Sequence, residues 1–324
     1  MTSSDAILVA DIGGTNARFA LAKPGAAGAG ALVLENSQTF RAEDFETVRD
    51  AADAFLESVS ERPAHACFAV AGPVDAAVIR FTNSPWQIDR ARIRDGLKLA
   101  QFHVVNDFEA LASGIPTLTD DDTVSVHAAA GDPAAPSLVL GPGTGLGQAL
   151  LVRAANETMV IATEGGHKTF APRTDEQVEV MRFIAREHPR VSVERLLSGR
   201  GLVNIHRALC AISGTQRISL QADEITRAAI DETYPIAQRA VALFCAILGD
   251  VAGDAVLSSG ARGGVMLGGG ILPRIKDLFL ASEFTAHFTD KGRMRPYLEA
   301  VPVRLIVRDG VALLGAGALA LKAR

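Results

Sequence analysis

At 324 residues the chain is longer than one hydrophobic core comfortably serves, so two domains are expected. Its 48% apolar and 21% charged composition is that of an ordinary soluble globular protein, and its net charge of −5 argues against a nucleic-acid-binding surface. No run of about eighteen apolar residues is apparent and the start, Met1 to Asp5, has no basic region, so neither a membrane span nor a signal peptide is expected.

The first predicted element is a hairpin. Leu8 to Asp11 and Ala17 to Ala22 are apolar runs flanking the turn Gly13-Gly14-Thr15-Asn16. Such a turn brings backbone N–H groups, a Thr hydroxyl and an Asn amide close to a phosphate, because glycine puts no Cβ in the way. Asp11 repels that anion unless a divalent cation, Mg²⁺ by its oxygen preference, stands between them. An ordinary β-turn explains the same residues equally well.

Further along, a strand is expected near 31–40, a helix through Phe45 to Val59, and buried strands at Ala66 to Ala71 and Val78 to Thr82. A helix near Asp89 to Leu99 precedes the strand Phe102 to Val105, which runs into Asn106-Asp107. Three strands, a helix, a strand, a helix and a strand describe a ribonuclease-H-like α/β unit. A domain crossing is expected between Ile115 and Asp122.

Ser137 to Val152 then repeats the opening design around Gly141-Pro142-Gly143-Thr144-Gly145. Its glycine spacing fails the dinucleotide fingerprint, and no Gly-Lys dipeptide exists for a Walker loop. Two matched hairpins plus Gly268-Gly269-Gly270 favour nucleotide binding. After that come a helix at Asp175 to His188, a loop Ser198-Gly199-Arg200-Gly201 leading to a helix at Leu202 to Cys210, and a mostly helical stretch from Asp223 to Leu248 broken near Pro235. Gly264 to Gly270 reads as strand into turn, Ile271 to Leu280 as helix, Val303 to Val307 as strand and Gly310 to Leu321 as helix.

Chemistry away from the phosphates has two candidates. Asp107 at a strand's end suits a base that accepts a hydroxyl proton during phosphoryl transfer, and an N-cap for a helix starting at Phe108 is the competing reading. Glu164-Gly165-Gly166-His167 suits a polyhydroxylated ligand and is too sparse for a metal site. Trp86 is expected to pack in the core or its loop. Cys67, Cys210 and Cys245 are far apart and read as small buried hydrophobes in a reducing cytoplasm.

Taken together, Asp11-Ile12-Gly13-Gly14-Thr15-Asn16, Val105-Asn106-Asp107-Phe108, Gly141 to Gly147, Glu164 to His167, Glu194-Arg195-Leu196-Leu197-Ser198-Gly199 and Leu267 to Gly270 resemble the zinc-free bacterial glucokinases of the hexokinase/actin-like ATPase superfamily. The resemblance covers nearly the whole chain. It implies two ribonuclease-H-like (actin/hexokinase-type) α/β domains flanking a deep cleft: a small one of 1–116 plus 308–324 and a large one of 117–307. It implies ATP-dependent phosphorylation of glucose on its 6-hydroxyl in the cytoplasm, with homodimerisation as a family-level expectation.

By position, Asp107 becomes the base, with Asn83, Asn106, Glu164, His167 and Glu194 on the sugar. Asp11 orients Mg²⁺ through water, Gly13, Gly14, Thr15, Asn16, Gly143 and Thr144 line the ATP phosphates, and Gly268 and Gly269 lie near the adenosine. Glu194 is selected by the resemblance alone. The scattered cysteines cannot form the zinc motif of the repressor/kinase sugar kinases, and too little chain precedes Asp11 for their DNA-binding helices. A kinase for another hexose or amino sugar, or an actin-like conformational ATPase, remains open at this level.

Overall fold

A computed structural model of the chain describes residues 4–25, 32–72, 74–80, 86–154, 157–215 and 218–323. Asn83 lies outside these residues, as do two residues of the strand expected at Val78 to Thr82. Contacts divide the chain into two compact units, 1–122 with 159–162 and 308–324, and 123–158 with 163–307.

In the first unit β1 (Ser4–Ile12), β2 (Asn16–Pro24) and β3 (Leu32–Arg41) form an antiparallel meander. α1 (Val48–Glu57), started by a Thr47/Asp50 capping box, leads to β4 (Pro63–Val70), which lies parallel to β1. A short ribbon of β5 (Val78–Arg80) and β6 (Gln87–Asp89) precedes α2 (Arg90–Gly96), and β7 (Gln101–Asn106) then joins parallel to β4. α3 (Asp107–Gly114) follows directly. The sheet order β3-β2-β1-β4-β7 is the expected ribonuclease-H-like one, with the β5–β6 ribbon added.

Alternation along β1 divides the core between the two faces of this sheet. Leu8, Ala10 and Ile12 pack with Phe19, Phe55 and Phe68, whereas Ile7 and Val9 pack with Ala110 of α3 and with residues of the C-terminal segment. Trp86 is buried and its indole N–H donates to the Phe45 carbonyl at 3.0 Å, the core role expected of it.

The second unit contains β8 (Thr123–His127), β9 (Ser137–Pro142), β10 (Leu146–Ala154) and the ends of β11 (Glu157–Thr163), whose residues 159–162 group with the first unit, followed by α4 (Asp175–Ala185), α5 (Gly199–Ile212), α6 (Ala222–Ile230) and α7 (Pro235–Ser259). β12 (Gly264–Leu267), the short helices α8 (Lys276–Leu280), α9 (Phe284–Thr289) and α10 (Arg295–Glu299), and β13 (Val303–Ile306) complete it. Its sheet order is β11-β10-β9-β12-β13-β8. The run β9 to β13 therefore repeats the order of the first sheet, with β8 added antiparallel at one edge. α11 (Val311–Lys322) closes the chain and packs Leu313, Ala316 and Ala320 on the first sheet.

Several expectations need correction. α5 begins at Gly199, because the Ser198 hydroxyl accepts from the Gly201 N–H and caps it, so the expected loop is the first helical turn. The helix expected from Ile271 is a 3₁₀ turn at Leu272–Ile275 before α8. α7 is long and apolar enough by mean composition to cross a membrane, although charged residues interrupt its apolar run, and 83% of its most apolar window is buried in the second core. An acid survives there because Asp250 is paired with Arg173 at 3.1 Å and His287 at 3.0 Å. The three cysteines are free and buried, and burial pushes the thiols of Cys67 and Cys245 up to about 12.

Candidate active site

In the first unit the candidates collect at the carboxyl ends of the parallel strands, where α/β sheets place their ligands. β1 ends at Asp11-Ile12, β4 at Val70 and β7 at Asn106, and the register aligns Ile12 with Val70 and Val70 with Asn106. Asp11 and Asp107 thus stand at the same sheet end, two strand spacings (about 10 Å) apart. The β1–β2 turn closes with the Gly13 N–H donating to the Asn16 carbonyl at 2.9 Å, and leaves Thr15 and Asn16 exposed.

Asp11 is half-buried and pairs across the hairpin with Arg18. Burial pushes its carboxyl above the usual range, and the Arg18 charge pulls partly the other way. Among the described residues no three His, Cys, Asp or Glu side chains cluster as a metal cage. A lone carboxylate beside a candidate phosphate-binding turn fits the way Mg²⁺ binds when it keeps waters and takes its other ligands from phosphate.

Asn106-Asp107 resolves a point the sequence left open. Asn106 is the cap, its Oδ1 accepting from Phe108 N–H at 2.9 Å and Glu109 N–H at 3.2 Å. Asp107 is the first helical residue, half-buried, with Oδ1 accepting from Phe108 N–H at 3.0 Å. Asn106 Nδ2 also donates to the Gly72 carbonyl at 3.3 Å. The capping task that competed with chemistry at Asp107 therefore falls to its neighbour.

In the second unit four candidate segments pack together. Gly268 N–H donates to the Leu140 carbonyl at 2.9 Å and Ile271 N–H to the Pro142 carbonyl at 3.4 Å, joining the 268–270 turn to the β9–β10 turn. Glu164 and His167 bracket a 3₁₀ turn, both exposed, with His167 Nε2 3.7 Å from Glu164 Oε2. The stretch after His167 runs beside the stretch before Glu194: Phe170 N–H donates to Val191 carbonyl and Val193 N–H to Lys168 carbonyl. Glu194 in turn reaches the β9–β10 turn, its Oε2 accepting from Leu146 N–H at 2.9 Å.

Two participants were missed from the sequence. Gln148 of β10 is buried against Gly165, with its Oε1 buried and not hydrogen-bonded among the described residues. The link from Glu194 to Leu146 spans 48 residues of chain, and no local spacing encodes it.

A family model described as Glucokinase matches residues 8–323. A glucokinase of Marinobacter nauticus is 41% identical over 98% of this chain and 97% of its own length. The crystal structure of a glucokinase from an Antarctic psychrotroph superposes with a TM-score of 0.85 at 38% identity, covering 99% of this chain and all of that one. A glucokinase from Balamuthia mandrillaris shares the fold, at a TM-score of 0.82 and 22% identity over 98% of this chain and 94% of that one. With two sheets of one strand order and glycine turns at the ends of β1 and β9, the chain belongs to the glucokinase family.

Proposed function

We infer that this chain transfers the γ-phosphoryl group of ATP to the 6-hydroxyl of D-glucose, with Asp107 as the base. The observation that carries the residue assignment is the division of labour at β7: Asn106 caps α3, which leaves the Asp107 carboxylate at the same sheet end as Asp11. Phosphoryl transfer asks mainly for positioning and charge neutralisation, with a base to take the hydroxyl proton as the new P–O bond forms.

Asp107 accepts the proton from O6. Glu164, His167 and Glu194, together with Asn83 and the amide of Asn106, hold the remaining hydroxyls. Gly13, Gly14, Thr15, Asn16, Gly143 and Thr144 line the phosphates, with the Thr15 and Thr144 hydroxyls as donors, and Gly268 and Gly269 lie along the adenosine. Asp11 would hold Mg²⁺, which when bound would neutralise charge on the phosphate being transferred. The domains in this reading are 1–116 with 308–324, and 117–307.

A coupled assay over glucose, mannose, fructose, N-acetylglucosamine and galactose tests the substrate. Glucose should give the highest kcat/KM; a higher value on another sugar overturns that assignment. ATP hydrolysis that neither needs nor responds to any sugar overturns the kinase reading.

Asp11→Asn should separate function from stability. A carboxyl whose pKa is raised in the fold carries no penalty below its unfolded value, near 3.8, because both states are then protonated. As pH rises past that value the unfolded chain ionises first and the fold loses stability, until the raised value is passed. The amide escapes this loss. Asp11→Asn should therefore melt higher than the parent at pH 7 without ligand, with the gap closing toward acid, while Mg²⁺-dependent turnover falls sharply. A lower melting temperature at pH 7 would refute the burial argument.

A further inference from the structure

The β9–β10 turn and the segment 193–201 hold each other at two points. Leu146 N–H donates to Glu194 Oε2 at 2.9 Å, and Gly199 N–H donates to the Gly143 carbonyl at 2.9 Å. Ser198 ties these together, its hydroxyl donating to the Glu194 carbonyl at 2.8 Å and accepting from Gly201 N–H at 2.9 Å. The backbone of Glu194 is thus anchored to the start of α5, and its side chain to the turn.

Gly145 completes the contact. A Cβ there would stand 2.5 Å from Glu194 Oε2 and 3.3 Å from its Cδ, and would meet nothing else within 4 Å. Its φ lies outside the left-handed region, so no left-handed strain dictates glycine there. What the position demands is an empty place for the carboxylate.

We infer that Glu194 joins the sugar and phosphate sites. Its Oε2 positions the phosphate-binding turn, its Oε1 is left for a sugar hydroxyl, and the missing side chain at Gly145 lets one carboxylate do both. This rests on the reading of Glu194 as a sugar ligand given above. The consequence is reciprocal: a change in the turn alters sugar affinity, and a change at Glu194 alters nucleotide affinity, each with the other ligand absent.

The test uses the full chain and calorimetry. D-glucose is titrated without nucleotide and the non-hydrolysable analogue AMPPNP with Mg²⁺ without sugar, against the parent, Gly145→Ala, Glu194→Asp, Glu194→Gln and the Gly145→Ala/Glu194→Asp double variant. Gly145→Ala, a change in the phosphate turn, should weaken glucose about tenfold, within the usual range of coupling between sites. Glu194→Asp keeps the charge but is a methylene too short for Leu146, and should weaken AMPPNP severalfold. Glu194→Gln keeps an acceptor oxygen and should hold AMPPNP within about twofold while losing glucose affinity.

The double variant should lose less AMPPNP affinity than the product of the two single losses, since both break one contact. Parental glucose affinity in a folded Gly145→Ala, or parental AMPPNP affinity in Glu194→Asp, overturns the joint. If both Glu194 variants bind glucose like the parent, the sugar-ligand reading itself falls, whatever AMPPNP does. Should Gly145→Ala fail to fold, the two Glu194 variants decide the matter.

Discussion

Asp107→Asn is expected to lower kcat about a thousandfold while glucose still binds within about threefold of the parent. A positioned base contributes roughly 10²–10⁴ in rate, and a thousandfold loss corresponds to about 4 kcal/mol of barrier. The substitution isolates the proton transfer because the amide keeps the size and an acceptor oxygen of the carboxylate while losing its basicity. Asn106 supplies the cap of α3 through two N–H bonds, and the N–H bond that Asp107 Oδ1 accepts from Phe108 can be accepted by an amide oxygen. The thermal midpoint should therefore stay close to the parent's. Asn106→Ala gives the contrasting result: loss of the cap, costing about 1 kcal/mol of stability. Near-parental turnover in Asp107→Asn would remove Asp107 as the base.

The contrast between these adjacent residues also shows what was legible in the sequence. Both Asn and Asp are good caps, so composition alone could not assign the task; the register of β7 and the start of α3 assign it to Asn106. The two hairpins were readable because their information is local, apolar runs around a glycine turn. The repeat of the first sheet's order in the second was only half visible, because β11 carries no clean alternation and β8, although Thr-Val-Ser-Val-His alternates, is only five residues long. α9 and α10 have six and five residues, too short for a 3.6-residue period to show. At α5 two glycines near the start suggested a loop, and the Ser198 cap outweighed them. Glu194 sits in a 3₁₀ turn with nothing local to distinguish it. Its partner Leu146 is visible only in the folded chain.

Gly269→Ala should be the most damaging single-methyl change in the candidate nucleotide site. Gly269 has φ +82°, a left-handed conformation that costs an L-residue about 1–2 kcal/mol. Its Cβ would also stand 2.4 Å from the Pro142 carbonyl oxygen and 2.9 Å from that carbonyl carbon. Those are backbone atoms at the end of β9, so relief requires moving the strand that delivers Gly143 and Thr144. Overpacking of this kind costs about 1–3 kcal/mol, for a total of about 2–5 kcal/mol. The Gly268 N–H bond to Leu140 and the Ile271 N–H bond to Pro142 pin the same two segments, so the displacement cannot be confined to one of them. The expected result is a midpoint lower by about 5–10 °C, together with a KM for ATP raised about tenfold or more. Gly270→Ala is the control, since a Cβ there meets nothing within 4 Å and its φ lies outside the left-handed region. Its stability should stay within about 0.5 kcal/mol of the parent. Equal midpoints for the two variants would mean that the 268–270 turn does not press on β9.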